Sequence, residues 1–189
     1  ADGCVFSVDA QRPDLPAVLA ETGAVEPRHT GPSHLYRLDR KGLLLHDEIF
    51  APFFAGSAGS GQPWHWDHQY ISLHNLWYHF RRFAKAVEGL DPVAEEFRPF
   101  HTETARLRIW GLRGRKTTVM WLRDKRATRE DLLERGLPPP VVEGERLPGT
   151  ARAAAYEWYL PWTDVSFSTA TPEIPAFSVS AVVRVPTAR

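Results

Sequence analysis

The chain has 189 residues, in which 23 Lys plus Arg balance 23 Asp plus Glu, and a single cysteine, Cys4. Balanced charge without a Lys/Arg block offers no field to nucleic acid or an anionic membrane, and one cysteine excludes an intrachain disulfide and metal sites built from several thiolates. No stretch approaches the ~20 apolar residues of a membrane span, while the length suffices for one domain, or two small ones, with a real core.

Residues 1–15 carry little pattern beyond the alternation of Cys4, Phe6 and Val8. With no initiator Met before Ala1-Asp2-Gly3, the chain reads as the C-terminal piece of a longer protein. Pro16-Ala17-Val18-Leu19-Ala20 is a continuous apolar run that ends at Glu21-Thr22-Gly23. Such a run predicts a strand buried on both faces, as in a parallel sheet. Glu21 then stands at the strand's C-terminal end, where parallel α/β folds place their chemistry; the plain alternative is an exposed loop carboxylate.

Residues 24–40 hold Pro27, Gly31 and Pro32 and read as a polar loop of a length that is often functional. His29 and His34 have no ligand spacing around them and read as surface histidines. From Lys41, Leu45, Ile49, Phe53 and Phe54 recur at helical spacing, with Pro52 kinking or ending the helix. Gly56-Ser57-Ala58-Gly59-Ser60-Gly61 lets the backbone turn sharply and approach its neighbours closely. Gln62 to Asp67 predicts a short strand with Trp64 and Trp66 on one side. Two indoles beside His65 and Asp67 suit a flat, partly polar ligand such as a sugar ring, the plain alternative being that both are core. Ser72 is placed to cap a helix in which Leu73, Leu76, Trp77, Phe80, Phe83, Ala84 and Val87 form one apolar stripe, stopped by Gly89 and Pro92. Strand, loop, helix, strand, helix is the α/β order.

The character changes near Arg98. Thr104 to Trp110 alternates, with Ala105, Leu107 and Ile109 opposite Arg106 and Arg108, and Thr117 to Leu122 follows a turn over Gly111 to Lys116, which predicts a hairpin. Arg129 to Arg135 is a short helical turn, and Ala153 to Leu160, Val165 to Ala170 and Phe177 to Val185 supply further strands. Residues 98–189 thus read as a small antiparallel β-sandwich.

Other chemistries fit poorly. His65 and His68 flank Asp67, but strand alternation sends positions three apart to opposite faces, short of the three or four convergent ligands a metal needs. The glycine run lacks the Gly-x-Ser-x-Gly register of a nucleophile elbow. It also leads into a strand, where phosphate-binding glycines open a helix.

The order Pro16-Ala-Val-Leu-Ala-Glu21-Thr-Gly23, a small-residue run, then Pro63-Trp-His-Trp-Asp67 resembles the last two βα units of retaining (β/α)₈ glycoside hydrolases, the cellulase- and mannanase-like enzymes. The resemblance covers most of the chain. It implies α/β plus all-β architecture: residues 1–97 as strands 7 and 8 of a TIM (β/α)₈ barrel with their helices, and residues 98–189 as a trailing β-sandwich. It implies Glu21 as the nucleophile and Trp66, with Trp64 second, as the floor of a sugar site that includes His65 and Asp67. It further implies a carbohydrate partner, no cofactor or metal, and a secreted or periplasmic location. The family's acid/base glutamate precedes the nucleophile by several strands, and Glu26, Glu48 and Asp67 do not match it. The resemblance therefore places the partner carboxyl in a missing N-terminal barrel segment. A rival reading is a non-catalytic carbohydrate-binding or structural β-sandwich module, with Trp158, Tyr159 and Trp162 as stacking residues.

Overall fold

A computed structural model describes residues 16–26, 28, 31–64, 68–149 and 155–187. The chain divides into two compact units, Ala1–Lys85 with Arg129–Leu137, and Ala86–Thr128 with Pro138–Arg189. No helix among the described residues is long and apolar enough to cross a membrane.

In the first unit, residues 16–20 form no regular strand. Ala17 and Leu19 are half-buried while Val18 is 62% exposed, so the run is covered on one face only, where burial on both had been expected. Its backbone bonds instead run to one neighbour, the 58–64 segment, and reach a single parallel bridge between Thr22 and Pro63. A short helix, α1 (Leu35–Leu38), precedes α2 (Leu43–Phe54), whose Leu45, Ile49, Phe53 and Phe54 are all buried, as their spacing predicts.

Pro52 lies in the last turn of α2 and has no N–H to give the carbonyl of Glu48 four residues back. The small-residue run answers it. A Cβ on Gly61 would lie 2.2 Å from the Glu48 carbonyl oxygen and 3.1 Å from Pro52 Cγ, so only glycine lets this backbone lie against the interrupted helix turn. Gly59 in the same run meets nothing within 4 Å.

The third helix, α3 (Tyr78–Val87), begins later than the Ser72 cap predicts. Residues 68–77 are consecutive turns, in which Asn75 at φ 53° takes the left-handed conformation and stops any regular helix. The expected stripe is broken accordingly. Leu76 is buried, but Leu73 and Trp77 are exposed, since they precede the helix and lack its period; Ala84, inside the helix, is exposed as well.

The second unit is β-rich. After α4 (Pro92–Glu95) come β1 (Arg98–Glu103), β2 (Leu107–Arg113) and β3 (Thr117–Asp124); a five-residue π-turn (Glu130–Glu134) belongs to the first unit. Then follow β4 (Val141–Val142), β5 (Tyr156–Leu160), β6 (Val165–Thr169), β7 (Phe177–Ser178) and β8 (Ser180–Pro186). Six of them form one antiparallel sheet in the order β1-β2-β3-β8-β5-β6, and β4 pairs with β7 as a separate ribbon. The ribbon's Val142 and Phe177 pack with Leu107, Met120, Trp158 and Val183 of the sheet in one core cluster. The β2–β3 hairpin is tighter than expected. Gly111 sits inside β2 opposite Phe100, whose ring fills the space a side chain would take, 2.4 Å from a Cβ on Gly111.

Gly61→Ala should cost about 1–3 kcal/mol, the usual range for forcing a methyl into packed surroundings, whereas Gly59→Ala should be near neutral. Urea midpoints of the two variants check this; equal midpoints would show that the Glu48 carbonyl does not confine position 61.

Candidate functional site

The two segments singled out by the sequence meet in parallel. Thr22 N–H donates to Gln62 O at 2.9 Å and Trp64 N–H donates to Thr22 O at 2.5 Å. Further back, Gln62 N–H donates to Leu19 O at 3.3 Å and Ala58 N–H to Ala17 O at 2.7 Å, with the Ser57 hydroxyl donating to the same Ala17 oxygen at 3.0 Å. Small side chains at 57–61 permit this approach. Glu21 is exposed beside the bridge, and Trp64, half of whose surface is open, is bonded to the residue next to it. The backbone at Glu21 and that at Trp64 thus flank the same bridge. His65, Trp66 and Asp67 lie outside the described residues.

The turn after Glu21 is fixed from below. Gly23 has φ 147°, a backbone that side chains disfavour, and a Cβ there would lie 2.8 Å from the Tyr36 hydroxyl and 3.4 Å from Trp64 Cβ. The buried Tyr36 hydroxyl accepts the Ala24 N–H at 2.7 Å, and its ring stacks on Tyr70 at 4.2 Å and 19°. Tyr70 in turn donates its hydroxyl proton to Asp39 Oδ2 at 2.5 Å and accepts the Leu45 N–H at 3.1 Å. Asp39, fully buried, accepts the N–H groups of Leu43 and Leu44 at 2.7 Å each, satisfying the first turn of α2. His74 Nε2 donates to the Tyr36 carbonyl at 2.8 Å.

Burial sets the protonation of this layer. It raises the Tyr36 and Tyr70 hydroxyls above the ordinary tyrosine value, so both stay neutral. Asp39 is also raised by burial, against the downward pull of its bonds from Tyr70, Leu44 and Leu43. Glu48 on α2 is pushed up to about 8, by burial first and then by the charges of Asp39 and Asp47. His79 is held down at about 4, by burial first and by Arg82, while its bond to the Lys41 carbonyl opposes the shift.

Tyr36, Glu48 and Tyr70 carry no signal in the motifs read above. Asp39 alone had one, a carboxylate just ahead of an apolar helical pattern, which is a capping signature. In the second unit, Trp158 and Tyr159 are 2% and 6% exposed. A ring shut inside the sheet core, as Trp158 is, presents no face to a ligand; Trp162 is half-buried. Among the described residues, no group of three or more His, Cys, Asp or Glu could hold a metal ion. No protein-family model matches the chain, and no curated protein does.

Glu48 and His79 give the fold a pH signature. An acid whose pKa is higher folded than unfolded holds its proton more tightly in the folded state. Glu48 therefore leaves stability intact below 4.5 and erodes it as pH rises towards about 8. His79, lower when folded, leaves stability intact above 6.5 and costs it as pH falls towards about 4. The two slopes oppose each other between 4.5 and 6.5, so the net alkaline loss should show between pH 6.5 and 8. Thermal midpoints across that range should fall in the native chain and flatten in Glu48→Gln; an identical slope in both would exclude Glu48 as the source.

Proposed function

We propose that the chain carries the nucleophile half of a retaining glycosidase site acting on a β-linked glycan such as cellulose or mannan, with Glu21 as nucleophile and Trp64 and Trp66 as the sugar floor. In this reading the first unit is the last two βα units of a (β/α)₈ barrel, and the second is its trailing β-sandwich. The observation that carries it is the parallel pairing of the Thr22 and Pro63 segments, which sets the end of one segment, at Glu21, beside a half-exposed indole at the end of the next. A carboxylate and an aromatic face at the ends of neighbouring parallel segments are what a sugar ring needs for attack at its anomeric carbon.

The Glu21 carboxylate attacks C1 and forms an ester to it while the C1–O glycosidic bond breaks. The aglycone oxygen leaves with the bonding pair and takes a proton from a second carboxyl group about 5–5.5 Å away. That group, now a base, takes a proton from water, the water oxygen attacks C1, and Glu21 is released with the configuration retained. Glu26, Glu48 and Asp67, the carboxylates nearby in sequence, do not match the second group's position in that family. The Glu26 carboxylate accepts the His34 N–H at 3.2 Å, and Glu48 is sequestered on α2. The reading therefore assigns the acid/base to a barrel segment outside these 189 residues. No cofactor takes part.

The 189-residue chain alone should show no turnover on cellulose, mannan or aryl glycosides, and a longer protein carrying the upstream barrel should be active. In that protein a dinitrophenyl 2-deoxy-2-fluoroglycoside should leave its sugar on the peptide containing Glu21, and Glu21→Gln should abolish both label and turnover. Trp64→Ala should lower kcat/KM by about 2- to 10-fold, as ~0.5–1.5 kcal/mol of ring contact implies. A label on another carboxylate, or full turnover with Gln at position 21, would sink the assignment.

A further inference from the structure

We infer that Tyr36 is a positioning residue for Glu21, its buried hydroxyl clamping the backbone turn that follows the carboxylate. The inference rests on the reading of Glu21 as nucleophile and extends it to a residue with no place in the motif.

Three observations converge on position 36. The hydroxyl accepts the Ala24 N–H at 2.7 Å, three residues beyond Glu21. The same oxygen lies 2.8 Å from where a Cβ on Gly23 would be, so it meets the turn in packing as well as in hydrogen bonding. The ring cannot drift, because it is buried, stacked on Tyr70 at 4.2 Å, and Tyr70 is tied to Asp39 at 2.5 Å. The position of Glu21 is therefore referred, through two rings and a carboxylate, to the start of α2. A nucleophile that must reach C1 in line tolerates little error, and a displacement of ~1 Å can cost about 10²-fold.

The test is Tyr36→Phe in the longer, active protein, probed with the dinitrophenyl 2-deoxy-2-fluoroglycoside. Phe keeps the ring and its stack and deletes only the hydroxyl. In the trapping step the Glu21 oxygen bonds to C1 and the C1–O bond to the phenolate breaks. The phenolate departs with the electron pair and needs no proton. One phenolate is released per competent site, so amplitude counts sites while rate reports attack. The expected result is full amplitude with trapping rate and kcat lowered about 10- to 100-fold, and KM moved by less than about 3-fold. Reduced amplitude at an unchanged rate per site would make Tyr36 a folding residue only and overturn the inference. An unchanged rate at full amplitude would overturn it too.

Gly23→Ala supplies a second arm. It should slow trapping in the native background and add less than that effect to Tyr36→Phe, since the oxygen it strikes is gone while the backbone strain is common to both. Full additivity would show that positions 23 and 36 do not act together, against the inference. Glu21→Gln is the control. If that variant traps at the native rate, the nucleophile assignment fails, and the inference with it, without position 36 having been touched.

Discussion

The first unit depends on one buried hydrogen-bonded connection, from Asp39 through Tyr70 to the ring of Tyr36 and the backbone at Ala24. Asp39 has no exposure, yet its two oxygens receive three donors, two from the first turn of α2 and one from Tyr70. A carboxylate out of water is tolerable only when so satisfied. The arrangement is all-or-none in character. Taking away one member leaves its partners buried without their bond, which costs more than the bond itself contributed. A loop that would otherwise be held by two short backbone pairings is thereby fixed to a helix end.

Backbone proximity on the other side of that loop comes from an equally local exchange. Proline in the last turn of α2 leaves a carbonyl without its helical donor, and glycine at 61 allows a second strand of chain to lie against it. Neither residue explains itself alone. Together they set where the 58–64 segment runs, and so where Trp64 is presented beside Thr22.

What the sequence revealed follows from the range of the forces involved. Periodic burial is written locally, so Leu45, Ile49 and Phe53 disclosed α2, and alternation disclosed the β2–β3 hairpin and the strands around Tyr156, Val165 and Val183. The parallel meeting of the Thr22 and Pro63 segments was legible as two short motifs in order. The clamp beneath them was not, because Tyr36 and Tyr70 are ordinary aromatics until a tertiary fold stacks them, and Tyr70 reaches an aspartate 31 residues away. The start of α3 departs from its sequence pattern for a different reason. Apolar spacing continues through Leu73 and Trp77, but the left-handed backbone at Asn75 breaks the helix, and hydrophobic pattern carries no sign of that.

The strand order of the second unit has a consequence for how the chain reaches its fold. β1, β2 and β3 are neighbours in sequence and in the sheet, and so are β5 and β6, whereas β8 lies between β3 and β5 and pairs with both. A meander and a hairpin can form early from local contacts, but they stay separate sheets with raw edges until β8 arrives. The strand that joins them closes a loop of more than fifty residues to β3, an entropic step that local pairing does not share. Synthesis therefore holds two unfinished half-sheets open until residues 180–186 emerge, and in that interval the exposed edges of β3 and β5 are where a nascent chain is most open to pairing with the wrong strand.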